Sequence, residues 1–146
     1  MTAAGRAGRE RVNAFPIDGR YLFKHYFEGQ SVFARLKRYY NNQQYRFEVP
    51  AEEFESIQSF LADHGYALIE IEPDAIDEYA VAVKQYTSHP ENIFKRSVLQ
   101  RSTDGYNCFL MTDRTAVEEA VDAGAMPVPA TELTPVFTST TDEKTP

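Results

Sequence analysis

The amino-acid sequence predicts an α+β fold: a ferredoxin-like βαββαβ(α) sandwich with an extra N-terminal helix or hairpin, set between disordered tails. Apolar and polar residues alternate in four short stretches, at 45–49, 66–72, 78–86 and 106–111, which is the period of a strand. Between them lie stretches with apolar residues every three or four positions and recognisable start and stop residues. At 146 residues, 42% apolar and 13% aromatic, the chain can bury one core without metal or disulfide staples. Residues 14–125 are therefore read as a single α+β domain, 1–13 as a disordered basic arm and 126–146 as a disordered Pro- and Thr-rich tail.

Taken in order, residues 21–27 fit a strand, and 31–41 fit a helix with Val32, Leu36 and Tyr39 on one face. A hairpin arm turning at Asn41-Asn42 is the alternative for the second of these. Tyr45, Phe47 and Val49 alternate with Arg46 and Glu48 until Pro50 ends the strand. Glu52, Glu53 and Glu55 then sit in a first helical turn, where the macrodipole favours acids. Phe54, Ile57 and Leu61 make its buried face, and Gly65 supplies the stop. Residues 66–72 and 78–86 are strands joined at Pro73-Asp74. Ser88-His89-Pro90-Glu91 carries the signature of a helix start, with Ile93, Phe94, Ser97, Val98 and Arg101 forming its face and rim. Asp104-Gly105 is a turn, 106–111 a strand, and 113–123 a helix closed by Gly124.

Composition excludes several classes of function. Cys108 is the only cysteine, so no intramolecular disulfide forms and a Cys-rich zinc site has too few thiolates. An unpaired thiol suits the reducing cytoplasm. No apolar run reaches the roughly 18–20 residues of a membrane span, and the arginines near the start have no apolar stretch behind them to make a secretory leader. The net charge of −7 is unevenly placed: residues 1–46 hold nine cations against three acids, and the rest six against nineteen. Ten Arg, five Lys and 22 acids resemble the composition of proteins from salt-loving archaea.

Two constellations carry recognisable chemistry. The segment 35–46, RLKRYYNNQQYR, interleaves Arg35, Lys37, Arg38 and Arg46 with Tyr39 and Tyr40. Cations meet phosphates and tyrosines stack on exposed bases, which suits single-stranded nucleic acid. The same pattern also describes an amphipathic helix whose tyrosines are core and whose cationic stems cover its edge. The second constellation is His89, Lys95, Arg96 and Arg101 around the expected helix start at Pro90, a candidate anion site. Its plainer reading is a seam complementary to the chain's own acidic helices or to a second copy. Neither His25, His64 nor His89 stands in a metal-ligand spacing, so no metal or other cofactor is expected. Cys108 reads as a small buried hydrophobe, and no P-loop, dinucleotide or GxSxG motif is present.

The reading that follows is a non-catalytic binding or regulatory module, self-associating as a homodimer through a strand edge or the helical face. A nucleic-acid-binding accessory protein using segment 35–46 is the alternative, and a small enzyme built round His89 ranks third. A cytoplasmic location is expected, with no membrane partner.

Overall fold

A two-residue turn starts the first sheet. Asp18 and Gly19 both hold positive φ, 54° and 82°, the backbone that a type I′ hairpin turn requires. β1 (Glu10–Ile17) thereby reverses into β2 (Arg20–Phe23), with Ile17 opposite Arg20. The structure, a computed structural model, describes residues 10–85, 96–133 and 135–137. The chain divides into two compact units between Ile71 and Glu72.

In the first unit, α1 (Gln30–Leu36) and a 3-10 turn (Lys37–Tyr39) follow β2. A short hairpin of β3 (Tyr40–Asn41) and β4 (Arg46–Pro50) comes next. α2 (Phe54–Ala62) then leads into β5 (Tyr66–Glu70). The sheet order is β3-β4-β2-β1-β5, with β1 and β5 parallel and the other pairs antiparallel. Alternation along the strands puts Val12, Ala14, Phe23, Phe47, Val49, Tyr66 and Leu68 in one core with Val32 and Leu36 of α1 and Phe54, Ile57 and Leu61 of α2. Both helices therefore cover the same face of the sheet.

The second unit begins with a 3-10 segment (Pro73–Tyr79) and β6 (Ala80–Lys84). β7 (Ser97–Thr103) and β8 (Tyr106–Met111) form a hairpin about Asp104 and Gly105, which also hold positive φ. α3 (Arg114–Asp122), β9 (Met126–Pro127) and a 3-10 turn (Val128–Ala130) complete it. The sheet is antiparallel, in the order β7-β8-β6-β9. Asp113 caps α3 by accepting from the Ala116 amide at 2.8 Å. Ala116 and Ala120 let that helix approach Val81, Phe109 and Met111 closely.

The fold is thus mixed α+β, but its strands occupy two sheets instead of the single ferredoxin-like sheet expected. The Pro73–Tyr79 segment explains the split. It is a seven-residue 3-10 run instead of a tight turn, so β5 pairs with β1 while β6 lies between β8 and β9. The helix expected to run from Ser88 through Arg101 is corrected over its described part, where residues 97–103 are strand β7. The Asp104-Gly105 turn sets Thr103 opposite Tyr106 and draws the preceding residues into the ladder. Ser88 through Lys95 lie outside the described residues. The helix expected over 31–41 ends at Leu36 and passes through the 3-10 turn Lys37–Tyr39, and only Tyr40 and Asn41 follow the hairpin alternative. Tyr45, expected in a strand, occupies the turn before β4 at φ 57° and is exposed. Residues 10–13, assigned to the basic arm, pair with β5. Within the expected tail, Met126 and Pro127 join β6, and Val128 and Phe137 are buried.

Gly19→Ala meets open space around its new methyl, so its cost is conformational, about 1–2 kcal/mol for holding an L-residue at positive φ. Leu61→Ala, at a fully buried position, is expected to cost about 2–5 kcal/mol. Urea unfolding of the two variants measures both.

Candidate ligand pocket

The connection from β2 to α1, residues 24–29, is short and rich in rings. Phe27 turns inward and meets Tyr66 edge-on at 4.8 Å, Phe47 at 5.6 Å and Phe23 at 6.4 Å between centroids. Tyr66 also accepts a hydrogen bond from the Glu28 amide at 3.0 Å. With Phe27 and Glu28 anchored in this way, Tyr26 projects outward and is 83% exposed. Gly29, at φ 92°, then directs the chain into α1.

Phe33 of α1 and Lys37, the helical residue that caps it, are four residues apart and so share a face. Phe33 is 43% exposed, unusual for a large apolar ring. On β3, Tyr40 packs edge-on against Phe47 at 4.9 Å and Phe33 at 6.0 Å. These elements enclose a pocket of about 670 Å³ whose walls include Tyr26, Phe27, Phe33, Tyr40, Phe47, His25 and Lys37. Gly29, Gln30 and Ala34 complete the lining, which contains no carboxylate.

The basic aromatic segment is distributed over several surfaces. Lys37 and Tyr40 line the pocket. Tyr39 is half-buried against the core and donates its hydroxyl hydrogen to Glu53. Arg38 lies over the Tyr39 ring and Arg35 over Phe60, at 5.6 and 5.7 Å from the centroids. Arg46 falls on the strand alternation opposite to Phe47, so it faces away from the pocket side of the sheet. There its Nε donates to Glu48 at 2.8 Å.

Glu48 gathers this polar face. It also accepts from Arg20 at 2.8 Å and from Asn41 at 3.0 Å. Burial alone would raise its carboxyl pKa, but the hydrogen bonds from Asn41 and Arg46, with the charges of Arg46 and Arg20, outweigh it and hold the group below its usual value. Burial, and then the nearby Arg46 charge, lower the ammonium pKa of Lys24. Tyr21 donates to Glu70 at 2.6 Å, and that bond, with burial and the carboxylate charge, pushes the phenol up to about 12.

The second candidate set is divided as well. His89 and Lys95 lie outside the described residues. Arg96 pairs with Asp113 at 3.4 Å and Glu119 at 3.0 Å. Arg101 stands on β7, where it donates to the Val136 carbonyl at 2.7 Å. Among the described residues no cluster of three His, Cys, Asp or Glu is placed to hold a metal ion. Burial, followed by the charge of Asp77, pushes the Cys108 thiol up to about 11, which leaves it protonated and a poor nucleophile at neutral pH.

Sequence reasoning missed Tyr26, Phe27 and Phe33 as pocket residues. The available signal was aromatic density ahead of Gly29: Tyr21, Phe23, His25, Tyr26 and Phe27 exceed what one short strand can bury. No model of a known protein family, no curated protein and no solved structure matches the chain. No described helix is long and apolar enough to cross a membrane.

The Glu48 network gives an acid limb to stability. A carboxyl whose folded pKa lies below its unfolded value stabilises the fold at neutral pH, and this contribution fades as pH falls from about 4.3 through the folded pKa. Glu48→Gln is expected to lose about 1–2 kcal/mol at pH 7 and to narrow its deficit below pH 4, as measured by urea midpoints across pH.

Proposed function

We propose that the chain is a non-catalytic binding module whose ligand enters the aromatic pocket of the first unit. One observation carries this reading: a pocket of about 670 Å³ walled by five aromatic rings, with Lys37 in its lining and no carboxylate. That volume falls within the roughly 300–1,000 Å³ of small-molecule sites. The rings favour a flat, apolar ligand body. In a protein of net charge −7, an acid-free lining with a lysine favours an anionic group on that body. A cationic ligand would gain the ring faces but meet Lys37 without a countercharge.

Ligand contact with Tyr26 and Phe33 would couple occupancy to the order of the 24–29 connection, which gives a regulatory module its output. Self-association fits the same reading through β7, which ends its sheet order and has neighbour β8 on one side. A cytoplasmic setting accords with the lone buried thiol of Cys108.

Nucleic acid remains a second reading because a nucleotide is itself a flat ring bearing an anion. Tyr26 and Phe33 expose rings for stacking, and Lys37 is exposed in the same lining.

The test uses 2-naphthoate and its neutral analogue 2-naphthamide, followed by nuclear magnetic resonance shifts of the pocket residues. Naphthoate is expected to bind about 3–10-fold more tightly, a difference of about 1 kcal/mol. Lys37→Ala should erase the preference, and Phe33→Ala should weaken both ligands. Absence of shifts at His25, Phe33 and Tyr40 would overturn the assignment. A single-stranded oligonucleotide that displaces naphthoate, with affinity falling steeply with salt, would select the second reading.

A further inference from the structure

We infer that His25 couples anion binding in the aromatic pocket to proton uptake, so that an anionic ligand is held more tightly in mild acid than in mild base. The inference rests on the pocket of the first unit being the binding site and concerns the regulation of that site. His25 belongs to its lining, together with Lys37 and the rings of Tyr26, Phe27, Phe33 and Tyr40. Of the side-chain types in that lining, histidine alone ordinarily exchanges a proton between pH 5 and 8. Acidification across that range therefore adds a second positive charge to a wall that already carries Lys37.

The groups that face His25 come from three elements. On β1, the Glu10 carboxylate stands 3.6 Å from the ring Nε2. Within the 24–29 connection the Phe27 ring lies at 5.0 Å between centroids, and on β5 the Tyr66 ring lies edge-on at 5.6 Å. The ionisable groups sharing the pocket are Lys37 and the phenols of Tyr26 and Tyr40. Lys24, the preceding residue, has the Arg46 charge near it.

Glu10 does not cancel the effect. Protonation changes the net charge of the His25–Glu10 pair by one, whatever the carboxylate contributes. Glu10 also lies outside the pocket lining, and its side chain is 60% exposed, so water and salt screen it. The His25 side chain is 22% exposed and borders a cavity walled by rings, where a charge acts with less screening. The coupling is reciprocal: the factor by which a proton on His25 tightens the anion is the factor by which the anion tightens the proton.

The experiment measures binding of 2-naphthoate and neutral 2-naphthamide to the full chain by nuclear magnetic resonance at pH 5.5 and pH 8. Naphthoate is ionised at both, since a carboxyl titrates at about 4. Its affinity is expected to be about 3–10-fold higher at pH 5.5, and that of naphthamide the same at both. His25→Gln should remove the pH dependence of naphthoate. In the wild-type chain, saturating naphthoate should raise the titration midpoint of the His25 ring by about 0.5–1 in pH, the same factor read from the other side. The midpoint of His64, which packs on Phe60 of α2 at 4.4 Å, should stay where it is. Equal naphthoate affinity at the two pH values, with shifts at Phe33 and Tyr40 intact, would overturn the role of His25 and leave the pocket assignment standing. An equal gain for naphthamide, or a pH dependence that survives His25→Gln, would count against it in the same way. Should His25→Gln prevent folding, the wild-type midpoint decides, and a midpoint unmoved by naphthoate refutes the coupling. Absence of shifts at Phe33 and Tyr40 at either pH would remove the pocket assignment and this inference with it.

Discussion

Phe47 belongs both to the core of the first unit and to the wall of its pocket. Its ring stacks on Phe23 at 5.3 Å and meets Phe27, Phe33 and Tyr40 at 5.6, 6.3 and 4.9 Å. Those rings come from β2, the 24–29 connection, α1 and β3, so a single side chain sets the spacing of four successive pieces of backbone. Edge-to-face packing is directional, which makes such a cluster stiffer than an aliphatic core of the same size. The pocket therefore has an inner wall of packed rings at Phe27, Phe47 and Tyr40 and a more exposed lip at Tyr26 and Phe33.

The other side of the same strand is organised by charge. Arg46 and Glu48 alternate with Phe47 and Val49, so each step along β4 switches between core and polar network. Arg20 of β2 and Asn41 of β3 reach the same carboxylate, which ties three adjacent strands through one residue. The cationic excess in residues 1–46 is thereby partly absorbed by the fold. A basic aromatic segment that looks continuous in sequence becomes an ion-pair network on one face and a pocket wall on the other.

The legible parts of the fold were those governed by local rules. Phe54, Ile57 and Leu61 lie buried along α2 as their spacing requires, and Asp104-Gly105 turns as that pair must. Pairing between distant strands was not legible: nothing local to residues 66–70 says that β1 is their partner. Asp18-Gly19 carried the same signal as Asp104-Gly105, but the sequence assigns no element to AFPI before it and a strand only over 21–27 after it. The pocket was hidden for a related reason. Lys37 and Tyr40 were visible within the basic segment, whereas Tyr26 and Phe33 join them only when α1 folds back on the 24–29 connection. Buried Phe137 has its amide on Asp77 and its ring beside Arg101, residues 60 and 36 positions earlier in the chain, a pairing beyond the reach of periodicity.

The parallel pairing of β1 with β5 has a consequence for how the chain leaves the ribosome. Glu10 stands opposite Tyr66 and Ala14 opposite Glu70, so the first strand emerges long before the one that closes its outer flank. Until then β1 holds β2 alone, through the Asp18-Gly19 hairpin, with a row of amides and carbonyls open on the other side. Such non-local closure is slow compared with hairpin formation. The nascent first unit thus passes through a stage in which four of its five strands are made and β1 is an open edge, lined by residues the finished protein conceals.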